Sequence, residues 1–202
     1  GQENIYFMSG EKIEKIDQMP AVQKVKDKGY EILYLTDNVD EFVLQILGTF
    51  KEKNFKNISQ GDLDLDSEEE KKELEKKAEE NKDMLEGLKT ALGEKVKEVK
   101  ISTRLVDDPV CLSSDEGMSF EMEKVLNQMP EGNDMKASRI LEINPNHPIF
   151  EALQKVYAED KDAVKEYADL LFDQALLIEG FPIDNPAEFS KKICEFMVRA
   201  TK

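Results

Sequence analysis

A lone histidine, two cysteines, several acidic clusters and a row of methionines are the residues of this sequence whose types could do chemistry. His147 could act as a general base, a role that needs an orienting partner and a nearby nucleophile. It stands between Asn146 and Pro148 at a helix start, where a structural role is expected and catalysis is not. Asp62-Leu63-Asp64-Leu65-Asp66, Asp107-Asp108 and Asp115-Glu116-Gly117 could ligate calcium, yet none has the EF-hand spacing of carboxylates around a central glycine. No metal is expected. Cys111 and Cys194 belong to no C-x-x-C or Cys/His cluster, so both read as buried thiols in a reducing cytoplasm. The chain carries neither G-x-G-x-x-G nor G-x-x-x-x-G-K-[ST], so no loop is expected to cradle a nucleotide phosphate. No catalytic residue is assigned.

Met118, Met122, Val125, Leu126 and Met129 fall at i, i+4, i+7, i+8 and i+11, a clean apolar face on a short helix between two loop-like stretches. Pattern alone reads that face as core packing. Flexible thioethers also suit a surface that must repack against many apolar partners.

The elements that must position these residues belong to a chain of 202 residues, 40% apolar, enough for one large or two small domains. No run approaches the roughly 18 apolar residues of a spanning helix, so a soluble protein is expected. The formal net charge of −16, from 44 acidic against 28 basic residues, repels phosphate polymers and anionic membranes. Arginine occurs only at 104, 139 and 199. Neither nucleic acid nor membrane is an expected partner.

Asn4 to Met8 reads as a strand, so the chain is expected to begin inside a domain. Glu11 to Asp17 and Pro20 to Lys28 read as helices, the second opened by proline and closed by Gly29. Tyr30 to Leu35 is a strand. Asn38-Val39-Asp40-Glu41 has the spacing of a capping box, with Phe42, Val43, Ile46 and Leu47 as the apolar face of the helix it opens. This order predicts two parallel strands with flanking helices. Lys53 to Leu65 reads as a polar connector with brief β character, and the domain boundary falls near residue 65. Ser67 to Glu70 is a second capping box, opening one charged helix that runs to Leu92, with a stripe of Leu74, Ala78, Leu85, Leu88 and Leu92. Short strands follow at Val96 to Ile101, Val110 to Leu112 and Arg139 to Ile143. Three helices finish the chain, about His147 to Ala158, Lys161 to Glu179 and Pro186 to Ala200.

The last two helices carry the strongest pattern. The earlier of them is apolar over much of its girth, through residues such as Leu171, Ala175 and Ile178, and Gly180 with Pro182 ends it. Asn185-Pro186-Ala187-Glu188 starts the second, where Phe189, Ile193, Phe196 and Met197 share a face. Such a hairpin is most simply buried against its own copy as a four-helix bundle. The predicted interface is therefore Leu171, Ala175, Ile178, Phe189, Ile193, Phe196 and Met197.

Leu141-Glu142-Ile143-Asn144-Pro145-Asn146-His147-Pro148 and Leu170-Leu171-Phe172-Asp173-Gln174-Ala175-Leu176-Leu177 resemble the C-terminal domain of heat-shock-protein-90 chaperones. Leu35-Thr36-Asp37-Asn38-Val39-Asp40-Glu41-Phe42 resembles a segment late in their middle domain. The similarity covers essentially the whole chain. It implies an α+β fold: a small αβα sandwich-like subdomain, residues 1–65, ending the middle domain, then a dimerisation domain, residues 66–202, whose helical hairpin forms an intermolecular four-helix bundle. It implies a homodimeric chaperone driven by ATP and magnesium held elsewhere in the full-length protein, with no cofactor and no enzymatic activity in this portion. The chain lacks the acidic Met-Glu-Glu-Val-Asp tail of eukaryotic members, so the bacterial type is expected, without tail-binding co-chaperones. The resemblance also assigns client contact to Met118, Met122, Val125 and Leu126, and to Phe42, where some relatives carry tryptophan. The rival from another class is a stand-alone dimeric α+β adaptor or scaffold.

Overall fold

In the computed structural model, residues 2–130 and 135–201 are described. The alternation of β1 (Asn4–Ser9) puts Tyr6 and Met8 on one face and Phe7 on the other. Tyr6 and Met8 meet Ile16 of α1 (Ile13–Asp17) and Val22 and Val25 of α2 (Pro20–Asp27) in a small apolar core. Pro20 opens α2 and Gly29 follows its end at φ +80°, as the sequence predicts. The chain then returns as β2 (Ile32–Leu35), parallel to β1.

After α3 (Asp40–Leu47) come β3 (Thr49–Phe50) and β4 (Lys53–Asn57), which make the sheet four-stranded in the order β2-β1-β4-β3. β4 runs parallel to β1 and antiparallel to β3. The expected connector is thus half strand: Lys-Asn-Phe-Lys-Asn is too polar to announce itself, yet its backbone pairs on both sides. The predicted capping box at Asn38 does not form. Val39 is the N-cap and makes no side-chain cap bond, while Glu41 turns inward.

The second half opens on the Ser67 capping box, which forms as expected, with Glu70 N–H donating to Ser67 Oγ at 3.2 Å and Ser67 N–H to Glu70 Oε2 at 2.7 Å. The single long helix of the sequence reading is two, α4 (Glu68–Glu80) and α5 (Lys82–Leu92). They part at Asn81, whose side-chain amide donates to Lys77 O at 2.8 Å and competes with the backbone ladder. β5 (Glu98–Ile101), β6 (Val110–Ser113) and β7 (Ile140–Ile143) form a mixed sheet, β5-β7-β6, with β5 parallel and β6 antiparallel to β7. Leu85, Leu88 and Leu92 of α5 join its strands in the larger core. α6 (Phe120–Asn127), α7 (Pro148–Glu159), α8 (Val164–Ile178) and α9 (Pro186–Arg199) complete the molecule. His147 caps α7, its Nδ1 accepting from Ile149 N–H at 3.1 Å.

Arg104 joins the two halves. It is wholly buried, donates Nε to both Glu142 oxygens at 3.1 Å, and donates its terminal nitrogens to the carbonyls of Ile58 and Gly61. Ser102 and Ser113 also donate to the Glu142 carboxylate, at 2.9 and 2.7 Å. Burial pushes that carboxyl up, but Arg104 and Lys100 outweigh it and hold it below the usual range. Beside this pair, Ser114 N–H donates to Ser59 O and Gly61 N–H to Ser114 O, both at 3.0 Å.

Candidate functional site

α6 does not sit as its pattern predicts. The helix begins at Phe120, capped by Ser119 Oγ, which accepts from Met122 N–H at 3.1 Å, so Met118 precedes it and Met129 follows it. Its inward face is Phe120 and Glu123, the latter 4% exposed, and Glu123 accepts from Ala137 N–H and Arg139 Nη2, both at 2.7 Å. Met122, Val125 and Leu126 lie on the other side, half-buried, and Met129 is exposed. The helix holds a satisfied charge inside and its methionine face outside.

α3 repeats the inversion. Its only buried residue is Glu41, 6% exposed, while Val43, Leu47 and Ile46, the last 88% exposed, face outward. Burial raises the Glu41 carboxyl above its ordinary range, although hydrogen bonds from Ser119 Oγ and from Asn57 Nδ2, the latter at 3.1 Å, partly counter this. Glu41 thereby ties α3 to the start of α6. Gln45 adds a contact from its Nε2 to Met122 Sδ at 3.2 Å.

Between the two helices lies an open recess of about 400 Å³, walled by Val39, Phe42, Val125 and Met129, with Asn38 and Gln128 at its margin. Of the residues expected to touch clients, Phe42 and Val125 meet here, and Met122 lies alongside Gln45. Met118 packs instead against the larger core, and Leu126 is half-buried outside the recess walls. Sequence reasoning missed Glu41 and Ser119, which aim the two helices at each other. A serine three residues before Met122 and a glutamate opening an apolar run were the available signals.

At the far end, α8 and α9 lie antiparallel. Tyr167 and Phe196 rings meet edge-on at 4.7 Å, Arg199 Nη1 donates to Glu166 Oε2 at 2.9 Å, and Lys192 pairs with Asp169 at 3.4 Å. Of the residues expected at an interface, Leu171 and Ala175 are buried in the larger core of their own chain. Ile178, Phe189, Ile193 and Phe196 are half-buried, and Met197 is 64% exposed. Cys111 is buried as expected, but Cys194 is exposed, because α9 buries none of its residues.

Among the described residues, no group of three or more His, Cys, Asp or Glu is placed to hold a metal, and no helix is long and apolar enough to cross a membrane. The model of the Hsp90 protein family matches residues 1–202. The chain is 46% identical over 197 residues to the chaperone protein HtpG of Bacillus subtilis, covering 98% of this chain and 32% of that protein. It is 50% identical over 196 residues to the chaperone protein HtpG of Clostridium acetobutylicum, covering 97% and 31%. The chain thus spans about a third of the length of these curated relatives.

Proposed function

The chain belongs to the Hsp90 family of chaperones, and from that premise we propose that it supplies two things to such a chaperone: a homodimer contact and part of the surface that holds partly unfolded clients. Residues 1–65 are the end of a middle domain and 66–202 a dimerisation domain. ATP, magnesium and their chemistry lie with other parts of the full-length protein, and this portion works as a binding surface in the cytoplasm.

The observation that carries the client reading is the shared inversion of α3 and α6, each with a glutamate buried and an apolar face turned out, across one recess. Helices normally bury their apolar stripe and expose their charge. Two neighbours that each bury a glutamate and leave an apolar side half-buried or exposed keep an apolar surface open, and the charged shell of the chain keeps it soluble. The partner fits that surface as an apolar client segment lodged between Phe42 and Val125, with Met122 repacking beside it. The double substitution Met122→Asp with Leu126→Asp, in the full-length protein, is expected to abolish suppression of aggregation of a heat-unfolded client. Unchanged suppression would refute the assignment.

The dimer reading rests on α9, a helix with no buried residue whose Met197 and Val198 are exposed, as is Leu177 of α8. A second copy of the hairpin covers them in a four-helix bundle. Light scattering is expected to report a dimer for residues 1–202 and a monomer for a chain ended at Gly180.

A further inference from the structure

The seam between the halves holds a second recess, of about 160 Å³, beside Phe120, Glu121 and Lys124 of α6. Its floor is apolar, with Met8, Ile16 and Phe120 each almost fully buried. Two acceptors in its wall lack a donor. Glu179, the C-cap of α8, is 8% exposed, and among the described residues its carboxyl takes part in no hydrogen bond or ion pair; only its backbone oxygen is used, by Lys124 Nζ at 2.6 Å. Ser9 Oγ is buried beside the Glu41 carboxyl, to which its hydroxyl is directed, and its lone pairs take no donor among the described residues.

A buried carboxyl without a donor is costly when charged, and the negative end of a helix adds to that cost. Burial accordingly pushes Glu179 up to about 8. The other charged groups around the recess are already engaged. Lys124 is held by Glu121, the Glu179 carbonyl and the face of Phe181. Lys15 pairs with Glu11, and Glu41 is held by Ser119, Ser9 and Asn57. The recess thus offers an apolar floor with two oxygen acceptors in its wall, a set that suits a compact positively charged donor.

We propose that this recess binds a small primary ammonium compound, whose head donates to the Glu179 carboxylate and the Ser9 hydroxyl while its ring-sized apolar body lies on Met8, Ile16 and Phe120. The size fits, since a cavity of roughly 150 Å³ takes one benzene. Binding breaks the Glu179 O–H bond and sends its proton to solvent, because the ammonium pairs with the ionised form. No bond of the ligand changes.

Titration calorimetry of residues 1–202 with benzylamine at pH 7, in two buffers of different ionisation enthalpy, tests this. Saturable one-to-one binding at about a millimolar or tighter is expected, with close to one proton released per ligand. Benzyl alcohol, which has the ring without the charge, and the Glu179→Gln variant should each bind about tenfold more weakly or worse, the variant releasing no proton. No saturable binding, equal binding of the alcohol, or unchanged binding by a folded Glu179→Gln variant would each overturn the assignment. Should that variant not fold, proton release and the comparison with the alcohol in the unsubstituted chain still decide it.

Discussion

Helices α8 and α9 lie side by side and antiparallel, yet α8 buries Val164, Ala168, Leu171, Phe172, Ala175 and Leu176 while α9 buries nothing. Both are amphipathic and well delimited. The difference is what each finds within its own chain: α8 lies over α5 and β6 and completes the larger core, whereas α9 lies along α8 and touches that core through the half-buried Phe189. A hairpin that looks like one unit is therefore two, one helix that the chain buries by itself and one whose apolar residues stay half-buried or exposed.

Substitutions along the pair should separate these roles. The largest effect is expected from Phe172→Ala in α8, about 3 to 5 kcal/mol of stability in urea unfolding; a loss under about 1 kcal/mol would mean that α8 is not a core helix. Next, Met197→Asp with Val198→Asp in α9 should weaken self-association about 100-fold by sedimentation, roughly 2.7 kcal/mol, with little change in the far-UV dichroism of the isolated protomer. An unaltered dimer would erase the contrast between the helices.

A third effect is tied to pH. The Glu179 carboxyl ionises near 4.5 in the open chain and near 8 when folded, so the unfolded state gives up its proton first. The stability that this group contributes is full below pH 4.5 and falls by up to about 1.4 kcal/mol per unit as pH rises toward 8. Glu179→Gln should flatten that slope in unfolding curves taken from pH 5 to 8. The smallest effect belongs to the exposed Arg199–Glu166 pair: Arg199→Ala should leave protomer unfolding almost unmoved, because solvent screens such a pair.

Much of this was legible in the chain itself, for reasons that can be named. Gly180, Pro182 and Asn185-Pro186 punctuate the hairpin by their backbone preferences alone, and the Asn185 cap forms, its Oδ1 accepting from Glu188 N–H at 3.1 Å. The β3–β4 hairpin escaped notice because its turn places Lys51 and Glu52 at φ +48° and +65°, a conformation usually announced by Asn-Gly. The break at Asn81 was hidden inside a continuous charge pattern. The surface between α3 and α6 was half legible: the spacing of Met122, Val125 and Leu126 revealed a face but not its direction, since direction depends on whether Glu123 and Glu41 find partners inside. Those partners, Arg139, Ala137, Asn57 and Ser119, lie far along the chain.

Arg104 has a mechanical meaning. Sliding one half past the other at that point would strip a buried guanidinium from Glu142 or from the carbonyls of Ile58 and Gly61, and leaving one partner of such a pair bare costs about 3 to 5 kcal/mol. That joint therefore behaves as a weld rather than a hinge. The two sheets are thereby fastened at one point, on the same body that carries the recess between α3 and α6.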